Sequence, residues 1–483
     1  MFGVLRSMNA SLRSGWQAKY TWHEVDRVDP PKRPVTNRVS DFREAGSTYD
    51  EATAREQASR CIQCPNANCM AVCPLATPIV ELLGLTADGQ FKEAAELLFA
   101  SNTLPELASH VCVGGRVCET ACVLRSKAEP VPIRAITRFL LDYGWKHGLA
   151  EPAMQTPKGR SVAVLGSGIG GLVTADMLSR RGYSVTVFDS RLRPGGRVMN
   201  GLPGFRVEKE LVERRVELLK QRGIHFRMGI TFGGNVKLDD LRGKFNAVFL
   251  GLGLAEAIQL DLPGAGLSGV HPAHQFVLQN TSSTQPDKQL AEVRNRRVVV
   301  LGGGDTAMDA LRIAIRLGAA EALCVYRRDE ANLPADAEEY ANAREEGAQF
   351  LFLSQAVSIL ANAAGKVTHV RCVQMALDEP DQTGRRSVKP VAGSEFNVPA
   401  DVVFVAYGFT APKLPESDDF AELDVDGRGG IVVDQDQMTN LPGVFAGGSI
   451  VRGPAPLSDV VRDARKAAAA IDRYLAARQQ EPV

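Results

Sequence analysis

Two segments of the chain place a short apolar run before glycines and an amphipathic stretch. Ser161–Leu165 reads SVAVL, glycines and a helical pattern follow it, and a second apolar run occupies Ser184–Phe188. The same order recurs at Arg297–Leu301, then 302–317, then Ala322–Tyr326. Short apolar runs bounded by glycine are typical of buried parallel strands. We therefore predict two strand–loop–helix–strand units, each at the centre of a nucleotide-binding lobe.

Outside these units the pattern is helical. Residues 50–150 contain short apolar stretches at helical spacing between loops that carry cysteines, and Phe91–Ser101 is the best helix candidate among them. The alanine-rich stretch Ala467–Ala477 predicts a further helix on the surface. The chain is therefore expected to be an α/β protein with a helical N-terminal part.

The first glycine loop has the form expected of a dinucleotide site. Gly166, Gly168 and Gly171 follow a strand and open a helix, and Asp189 ends the next strand. Such glycines let the backbone approach a pyrophosphate at the helix N-terminus, and the acid accepts hydrogen bonds from a ribose. A tight turn without a ligand is the alternative, but strand, helix and acid occur here together.

Further segments favour FAD in this first lobe. They resemble parts of flavoproteins that bind two dinucleotides, in which a C-terminal glycine-rich segment completes the flavin site. The residues concerned are Gly195, Gly196, Arg197, Gly253, Gly448 and Ser449.

The second glycine loop predicts a site for NADPH. Its strand tip carries Arg327 and Arg328 where an NAD site carries an acid, and arginines there would pair with the 2′-phosphate. A solvated basic pair is the alternative, and Glu330 nearby would weaken the effect. The loop residues predicted to contact the nucleotide are Gly302, Gly304, Asp305, Thr306 and Ala307.

Seven of the nine cysteines lie between positions 61 and 122, at spacings that resemble a ferredoxin-type run. They suggest two 4Fe-4S clusters with one ligand that is not cysteine. A zinc site is the alternative, although one zinc ion would leave three of these cysteines unused. The predicted ligands are Cys61, Cys64, Cys69, Cys73, Cys112, Cys118 and Cys122. Cys324 and Cys372 are isolated and are expected in the core.

Composition narrows the classes of function. Hydrophobic residues make up 45% of the chain, charged residues make up 23%, and the formal net charge is zero. A nucleic-acid partner is not expected, because phosphate binding needs a basic surplus. No apolar run approaches the roughly 18 residues that span a bilayer, and the N-terminus lacks an apolar signal core, so we expect a cytoplasmic protein with no membrane partner.

Taken together, these modules resemble the small subunit of bacterial glutamate synthase over about residues 30–475. Related modules occur in dihydropyrimidine dehydrogenase and in ferredoxin–NADP transhydrogenase. The stretches that carry the resemblance are Pro31–Pro34, Ser101–Glu106, Val300–Asp309, Tyr326–Asn332, Asn342–Gly347 and Phe445–Gly453.

The resemblance implies how the cysteines divide. Cys61, Cys64, Cys69 and Cys122 would hold one cluster, and Cys73, Cys112 and Cys118 the other. Family members often supply the last ligand from a Glu or Gln about 15 residues after the final cysteine, a region that reads PIRAITRF here. Thr137, water or a three-iron cluster remain as alternatives.

Two more positions depart from the family pattern. The family usually has Asp where this chain has Ser449, and it tends to have Gly where this chain has Ala464. Ser449 has no charge, and Ala464 adds a methyl group at a helix expected to face the flavin. Weaker FAD binding, a reshaped flavin edge or a divergent paralogue would each account for these changes.

The implied layout is a helical iron–sulfur domain over 1–155, an FAD lobe over 156–285 and 408–483, and an inserted NADPH lobe over 286–407. The implied function is NADPH oxidation, with electrons passing through FAD and the clusters to a larger subunit that makes glutamate from glutamine and 2-oxoglutarate. The same module serving a transhydrogenase or dehydrogenase complex is the main alternative, and a scaffold without flavin turnover is another. A disulfide reductase is disfavoured, because neither nucleotide lobe contains a C-x-x-C pair.

Overall fold

A computed structural model describes residues 21–112, 117–149, 155–254, 256–281, 292–380 and 386–478. The helices of the N-terminal part are α1 Val35–Arg38, α2 Glu51–Ser59, α3 Asn68–Ala71, α4 Ile79–Ala87, α5 Phe91–Ser101, α6 Pro105–Val111 and α7 Ile133–Lys146. Their apolar faces form one core around residues such as Leu98, Phe99 and Leu140. The predicted helix Phe91–Ser101 is confirmed, and the cysteines lie at the ends of helices or in the loops between them, except Cys69, which lies in α3.

The first nucleotide lobe is a parallel sheet of five strands in the order β16-β4-β1-β2-β3. The strands are β1 Ser161–Leu165, β2 Ser184–Asp189, β3 His225–Met228, β4 Ala247–Leu250 and β16 Val444–Ala446. The helices are α8 Ile169–Arg180, α9 Gly196–Gly201, α10 Lys209–Gln221, α11 Leu238–Lys244, α15 Ser449–Arg452 and α16 Leu457–Ala477. Val162 and Val164 of β1 are fully buried on one face and Ala163 and Leu165 on the other, which explains the continuous apolar run.

The helix predicted at Ala467–Ala477 begins earlier, at Leu457, and it is not simply a surface element. Ala467, Ala468 and Ile471 are buried against the core that α8 shares with β1. Small side chains let two helices approach closely, which is why the alanine-rich face turns inward rather than toward solvent.

The second lobe repeats the design with the strand order β6-β14-β7-β8-β9, again fully parallel. The strands are β6 Val270–Pro272, β7 Arg297–Leu301, β8 Glu321–Val325, β9 Gln349–Leu351 and β14 Val402–Val405. Its helices are α12 Ala273–Gln279, α13 Asp305–Arg316 and α14 Ala337–Glu345. Both predicted strand–loop–helix–strand units are therefore present, and the α/β class is confirmed.

The remaining strands cover one face of the second parallel sheet and link the two lobes. β10 Ser354–Ala361, β11 Val367–Pro380, β12 Arg386–Pro390 and β13 Phe396–Pro399 form an antiparallel sheet, and β5 Glu256–Ala257 pairs with β15 Phe409–Thr410. The predicted lobe boundary at 285 differs from sheet membership, because Val270–Pro272 pairs with β14 of the second sheet. The domain limits as a whole stay a prediction.

The helical part also contacts the second lobe through ion pairs on α14. Lys32 lies 3.0 Å from Glu345, Arg38 lies 2.6 Å from the same carboxylate, and Arg134 pairs with Glu338. Arg38 is almost fully buried and also donates to the side-chain oxygen of Asn342 at 3.0 Å. Helix α14 is thus a shared support for the N-terminal segment and the second sheet.

Candidate functional site

The first glycine loop is shaped by close backbone contacts. Gly166 has φ +99°, and a Cβ there would lie 2.4 Å from the carbonyl oxygen of Gly251. A Cβ on Gly171 would lie 1.9 Å from the carbonyl oxygen of Gly166, so the start of α8 packs directly on the loop. A Cβ on Gly168, by contrast, would meet no described atom within 4 Å. The loop therefore leaves open space at the N-terminus of a helix, where an anionic group is favoured.

Asp189 at the tip of β2 is buried, and its carboxylate holds the same loop. One oxygen accepts hydrogen bonds from the backbone N–H of Ser167 at 2.7 Å and from its hydroxyl at 2.6 Å. The other oxygen accepts from the backbone N–H of Arg191 at 2.9 Å. A carboxylate has about four lone-pair positions, so one remains for a ligand hydroxyl. Its predicted contact with a ribose stays a prediction.

The segment predicted to assist FAD binding lies against this loop. A Cβ on Gly196 would approach the Cα of Gly168 to 2.5 Å, and the N–H of Gly195 donates to the carbonyl oxygen of Ser167 at 3.0 Å. Arg197 stacks on Phe409, with its guanidinium carbon 3.6 Å from the ring centroid. Burial lowers the pKa of Arg197 to about 10, so it remains a cation at neutral pH. The stacking partner Phe409 gave no signal in the sequence.

The C-terminal glycines reach the same edge of the sheet. Strand β16 pairs in parallel with β4, and the carboxyl ends of parallel strands meet at one edge. Gly448, φ +81°, therefore follows β16 beside Gly253, φ +70°, which follows β4. Ser449 starts α15, and its carbonyl oxygen accepts from the N–H of Gly453 at 2.9 Å.

Ala464 lies in the core beneath this edge. It is fully buried where α16 packs on α8, and its carbonyl oxygen accepts from the Thr174 hydroxyl at 3.5 Å. Nearby, Arg452 donates to the buried carboxylate of Asp463 at 2.7 Å, which joins α15 to α16. This ion pair was not found by sequence reasoning, because the two residues are not at a motif spacing.

The second glycine loop repeats the geometry of the first. Gly302 has φ +124°, and a Cβ there would lie 2.5 Å from the carbonyl oxygen of Ala406. A Cβ on Gly304 would meet no described atom within 4 Å, and α13 begins at the next residue, Asp305. Thr306 is half-buried and Ala307 is fully buried against the strand. This loop too presents a helix N-terminus to open space.

The arginines predicted to hold a 2′-phosphate follow β8. Arg327 is exposed, and Arg328 is half-buried with a buried Nε that has no hydrogen-bond partner among the described residues. The Glu330 carboxylate has other hydrogen-bond partners, because it accepts from the Tyr340 hydroxyl at 2.7 Å and from Arg344 at 3.3 Å. The carboxylate that was expected to weaken the arginine pair is thus engaged by α14.

Four of the clustered cysteines line a single cavity: Cys61, Cys64, Cys69 and Cys122. Apolar side chains such as Leu83 and Ile133 line the rest of it. Burial raises the pKa of Cys61 to about 12 and that of Cys69 to about 11, so thiolates there need a positive partner. An iron–sulfur cluster supplies that charge, and the four-sulfur donor set fits one.

The other three cysteines form a second group. Burial and then the Cys73 thiol raise the pKa of Cys112 to about 11. Burial, Glu119, Cys112 and Cys73 together raise the pKa of Cys118. Across the described ranges, no three His, Cys, Asp or Glu side chains are arranged to hold one metal ion.

Candidate fourth ligands of this group have other partners. The carboxylate of Glu119 accepts from the backbone N–H of Arg134 at 3.0 Å and from Arg27 at 2.9 Å. The Thr137 hydroxyl donates to the carbonyl oxygen of Ile133 at 2.8 Å. The second group therefore offers three thiolates, and a four-cysteine cluster does not fit it.

The two remaining cysteines are buried in the second lobe. Cys324 on β8 donates to the carbonyl oxygen of Gly302 at 3.1 Å, and Cys372 lies in the core beneath the antiparallel sheet. Burial raises the pKa of each thiol to about 12, which favours the inert protonated form.

Comparison with family models divides the chain as the fold does. Residues 38–149 match the model described as "Dihydroprymidine dehydrogenase domain II, 4Fe-4S cluster", and residues 160–470 match "Pyridine nucleotide-disulphide oxidoreductase". The glutamate synthase (NADPH) small chain of Escherichia coli K12 is 39% identical over 95% of this chain and 99% of its own. The corresponding protein of Azospirillum brasilense is 38% identical over 95% and 97%.

The chain belongs to the glutamate synthase small-chain family. The prediction of an NADPH-dependent FAD oxidoreductase is confirmed at that level. The putative oxidoreductase AegA of Escherichia coli K12 is also 38% identical, over 93% of this chain and 70% of its own length, so the family's modules also occur in a longer protein.

A solved structure supports the fold of this family member. The FprA protein of Mycobacterium tuberculosis, solved in complex with NADPH, aligns with a TM-score of 0.57 at 19% identity, over 66% of this chain and 86% of that one. In the part of the chain that is described, no helix is both long and apolar enough to cross a bilayer.

Proposed function

We propose that this chain is the electron-input subunit of a glutamate synthase, oxidising NADPH and delivering electrons through FAD and iron–sulfur clusters. The observation that carries the proposal is the presence, in one chain, of two open helix N-termini and a four-thiolate cavity. When bound, FAD accepts a hydride from NADPH and iron–sulfur clusters carry single electrons, so the protein supplies positions and charges rather than acid–base groups.

For FAD, the first lobe supplies a fitted site. The loop at Gly166–Gly171 would face the pyrophosphate, and the free lone pair of Asp189 would accept from a ribose hydroxyl. Gly253 and Gly448 would face the flavin at the edge of the sheet. Ser449 offers one neutral hydrogen bond there where a charge is usual in the family. The stacked cation Arg197 contributes positive charge beside the loop.

For NADPH, the second lobe supplies the selectivity. Arg327 and Arg328 stand at the strand tip, where their guanidinium groups would pair with the 2′-phosphate. The half-buried position of Arg328 reduces screening by water, so we infer that it contributes more to selectivity than the exposed Arg327.

The two cysteine groups lie in an order that suits outward electron flow. Cys73 of the second group packs against both the helical core and the core of the FAD lobe. Arg465 of α16 also lies near Cys73. The second group is therefore the one nearer the flavin lobe, and the four-cysteine cavity lies farther along the helical domain.

The partner and the location follow from the family. Curated relatives that the chain covers almost completely are named small chains of glutamate synthase, which implies a larger subunit as electron acceptor. We place the protein in the cytoplasm, where thiols stay reduced and cysteine clusters bind iron rather than forming disulfides. Copurification with a glutamate synthase large subunit tests the partner, and its capture by an unrelated dehydrogenase would contradict it.

Anaerobic titration of the purified chain with NADPH and, separately, NADH tests the electron-input role. We expect NADPH to bleach the flavin at far lower concentration than NADH, with cluster absorbance falling in turn. Reduction by neither nucleotide, although FAD is bound, would replace this function with that of an iron–sulfur scaffold.

One observation favours a second partner class. AegA, a longer putative oxidoreductase, contains these modules within 70% of its length. The same modules can therefore be joined to additional chain, and we infer that such a protein would deliver electrons to a different acceptor. Transfer of electrons to a glutamate synthase large subunit, measured as glutamate formation, separates the two proposals.

A further inference from the structure

A short segment of the FAD lobe is inserted into the second lobe. Phe205, on the connection between α9 and α10, is 3% exposed and belongs to the core of the second lobe. The guanidinium carbons of Arg312 and Arg316 lie 4.1 Å and 4.3 Å from the centroid of its ring. This contact anchors one lobe on the other with a buried aromatic residue.

The next residue, Arg206, faces three carboxylates of the second lobe. Its guanidinium lies 3.3 Å from Glu339, 3.4 Å from Asp309 and 3.7 Å from Asp305. The Arg206 side chain is only 9% exposed, and the carboxylates of Asp309 and Glu339 are also largely buried, so water screens these two pairs weakly. The Asp305 side chain is 43% exposed, so its attraction to Arg206 is screened more strongly. The FAD lobe thus supplies a buried cation to an acidic site on α13 and α14.

Asp305 gives this cation a role beyond packing. It is the first residue of α13 and follows Gly304, at the open helix N-terminus where a pyrophosphate would bind. Its carboxylate also accepts from the backbone N–H of Asp336 at 2.8 Å, which fixes its position. An uncompensated carboxylate at that place would repel an anionic ligand.

Asp309, one turn farther along α13, also needs a nearby cation if its carboxylate is to stay ionised. It is almost fully buried, and burial raises its pKa to about 7, with Arg206 acting in the opposite direction. Glu339 also pairs with Arg312 at 2.5 Å, so it is held from both sides. Among these contacts, Arg206 is the cation that the first lobe contributes.

We propose that Arg206 is a positioning residue that couples docking of the two lobes to binding of the dinucleotide by the second lobe. By neutralising Asp305, it makes the loop at Gly302–Ala307 receptive to a pyrophosphate only while the FAD lobe is docked. Because linkage is reciprocal, a bound dinucleotide holds the lobes together. This inference rests on the proposed NADPH site and adds how its affinity is set.

Charge variants test the coupling through the dissociation constant of NADP+, measured from the perturbation of flavin absorbance. Arg206→Gln is expected to weaken NADP+ binding about tenfold, Arg206→Lys less, and Asp305→Asn added to Arg206→Gln is expected to restore most of the loss. Arg473→Gln, which removes an exposed cation paired with Asp436 away from the loop, serves as the control and should leave the constant unchanged. FAD content is measured for every variant.

Hydrogen exchange of the unaltered protein gives an independent test that needs no variant. Saturating NADP+ should slow exchange in residues 203–208, although these belong to the FAD lobe. Unchanged exchange there, unchanged affinity in Arg206→Gln, or a loss that Asp305→Asn fails to restore would each overturn the coupling. Failure of the unaltered protein to bind NADP+ would instead refute the proposed NADPH site itself.

Discussion

The two nucleotide lobes share one backbone design but obtain their charges differently. In the first lobe, Asp189 belongs to the same sheet as the loop it holds, and it bonds Ser167 directly. In the second, the loop carries its own acid, Asp305, and the compensating cation Arg206 comes from the other lobe. The pattern of strand, glycines and helix therefore specifies the shape of each dinucleotide loop. The partner of the acidic residue decides whether the charge of that loop is balanced within its own lobe or by the other lobe.

The largest expected effect comes from adding a methyl group at Gly171, the residue that ends the first loop. The second loop has Ala307 where the first has Gly171, and a Cβ on Gly171 would lie 1.9 Å from the carbonyl oxygen of Gly166. We expect Gly171→Ala to cost about 3 kcal/mol through overpacking and to deplete bound FAD. The flavin-to-protein ratio and thermal unfolding measure this. Gly243→Ala on α11, where a Cβ meets no described atom within 4 Å, is the matched control and should not lower stability.

The next-largest effect is expected at Arg328, one of the two arginines that follow β8, whereas the corresponding strand of the first lobe ends in Asp189. Removing Arg328 should cost about 1.5–3 kcal/mol of NADPH binding, or roughly 10- to 150-fold in kcat/KM, with little change for NADH. Steady-state kinetics with both nucleotides measures the ratio. Arg344→Ala, which removes an exposed arginine paired with Glu330, is the control. Equal losses for NADPH and NADH would show that Arg328 does not read the 2′-phosphate.

A smaller effect is expected from the acid of the first lobe. Asp189→Asn keeps an oxygen that can accept from Ser167 but removes the charge, so FAD affinity should fall by about 1 kcal/mol, roughly fivefold. Flavin release followed by fluorescence measures it. An unchanged FAD affinity would show that the loop does not depend on this carboxylate for its shape.

The smallest effect compares the residues that precede two equivalent strands, β4 beside β1 and β14 beside β7. Asn246 accepts from the backbone N–H of Ser161 at 2.9 Å, and Asp401 accepts from the backbone N–H of Arg297 at 2.9 Å. The Arg297 side chain also donates to Asp401 and holds the pKa of that carboxyl below its ordinary value of 3.8. Asp401 therefore contributes stability above pH 3.8, which is lost as the pH falls through its lower folded-state pKa.

Asp401→Asn should make the second lobe resemble the first at this position. We expect the acid-induced loss of stability below pH 4 to shrink by less than about 1 kcal/mol, because the pair is partly exposed. Denaturant unfolding at a series of pH values measures the difference. A variant whose stability falls with acid as steeply as that of the unaltered chain would contradict the assignment.

Local pattern was enough to predict the features that short stretches of chain create. Both glycine loops, the strands that flank them and the helix Phe91–Ser101 follow from periodicity and turn chemistry. Contacts between distant segments were not predictable in this way. Phe205 and Arg206 have no motif of their own, and the pairing of Val270–Pro272 with β14 depends on which sheet offers a free edge. The inward face of α16 was missed because alanine is compatible with both surface and core.

The buried Arg38 has a consequence for synthesis of the chain. Its partner Asn342 lies 304 positions later, and Glu345 follows shortly after. At about 5–20 residues per second, a ribosome needs roughly 15–60 seconds to travel that distance. During this time the N-terminal segment has no counterpart for its guanidinium, so its docking belongs to the last stage of folding. The helical domain, although made first, is completed only after the second lobe has left the ribosome.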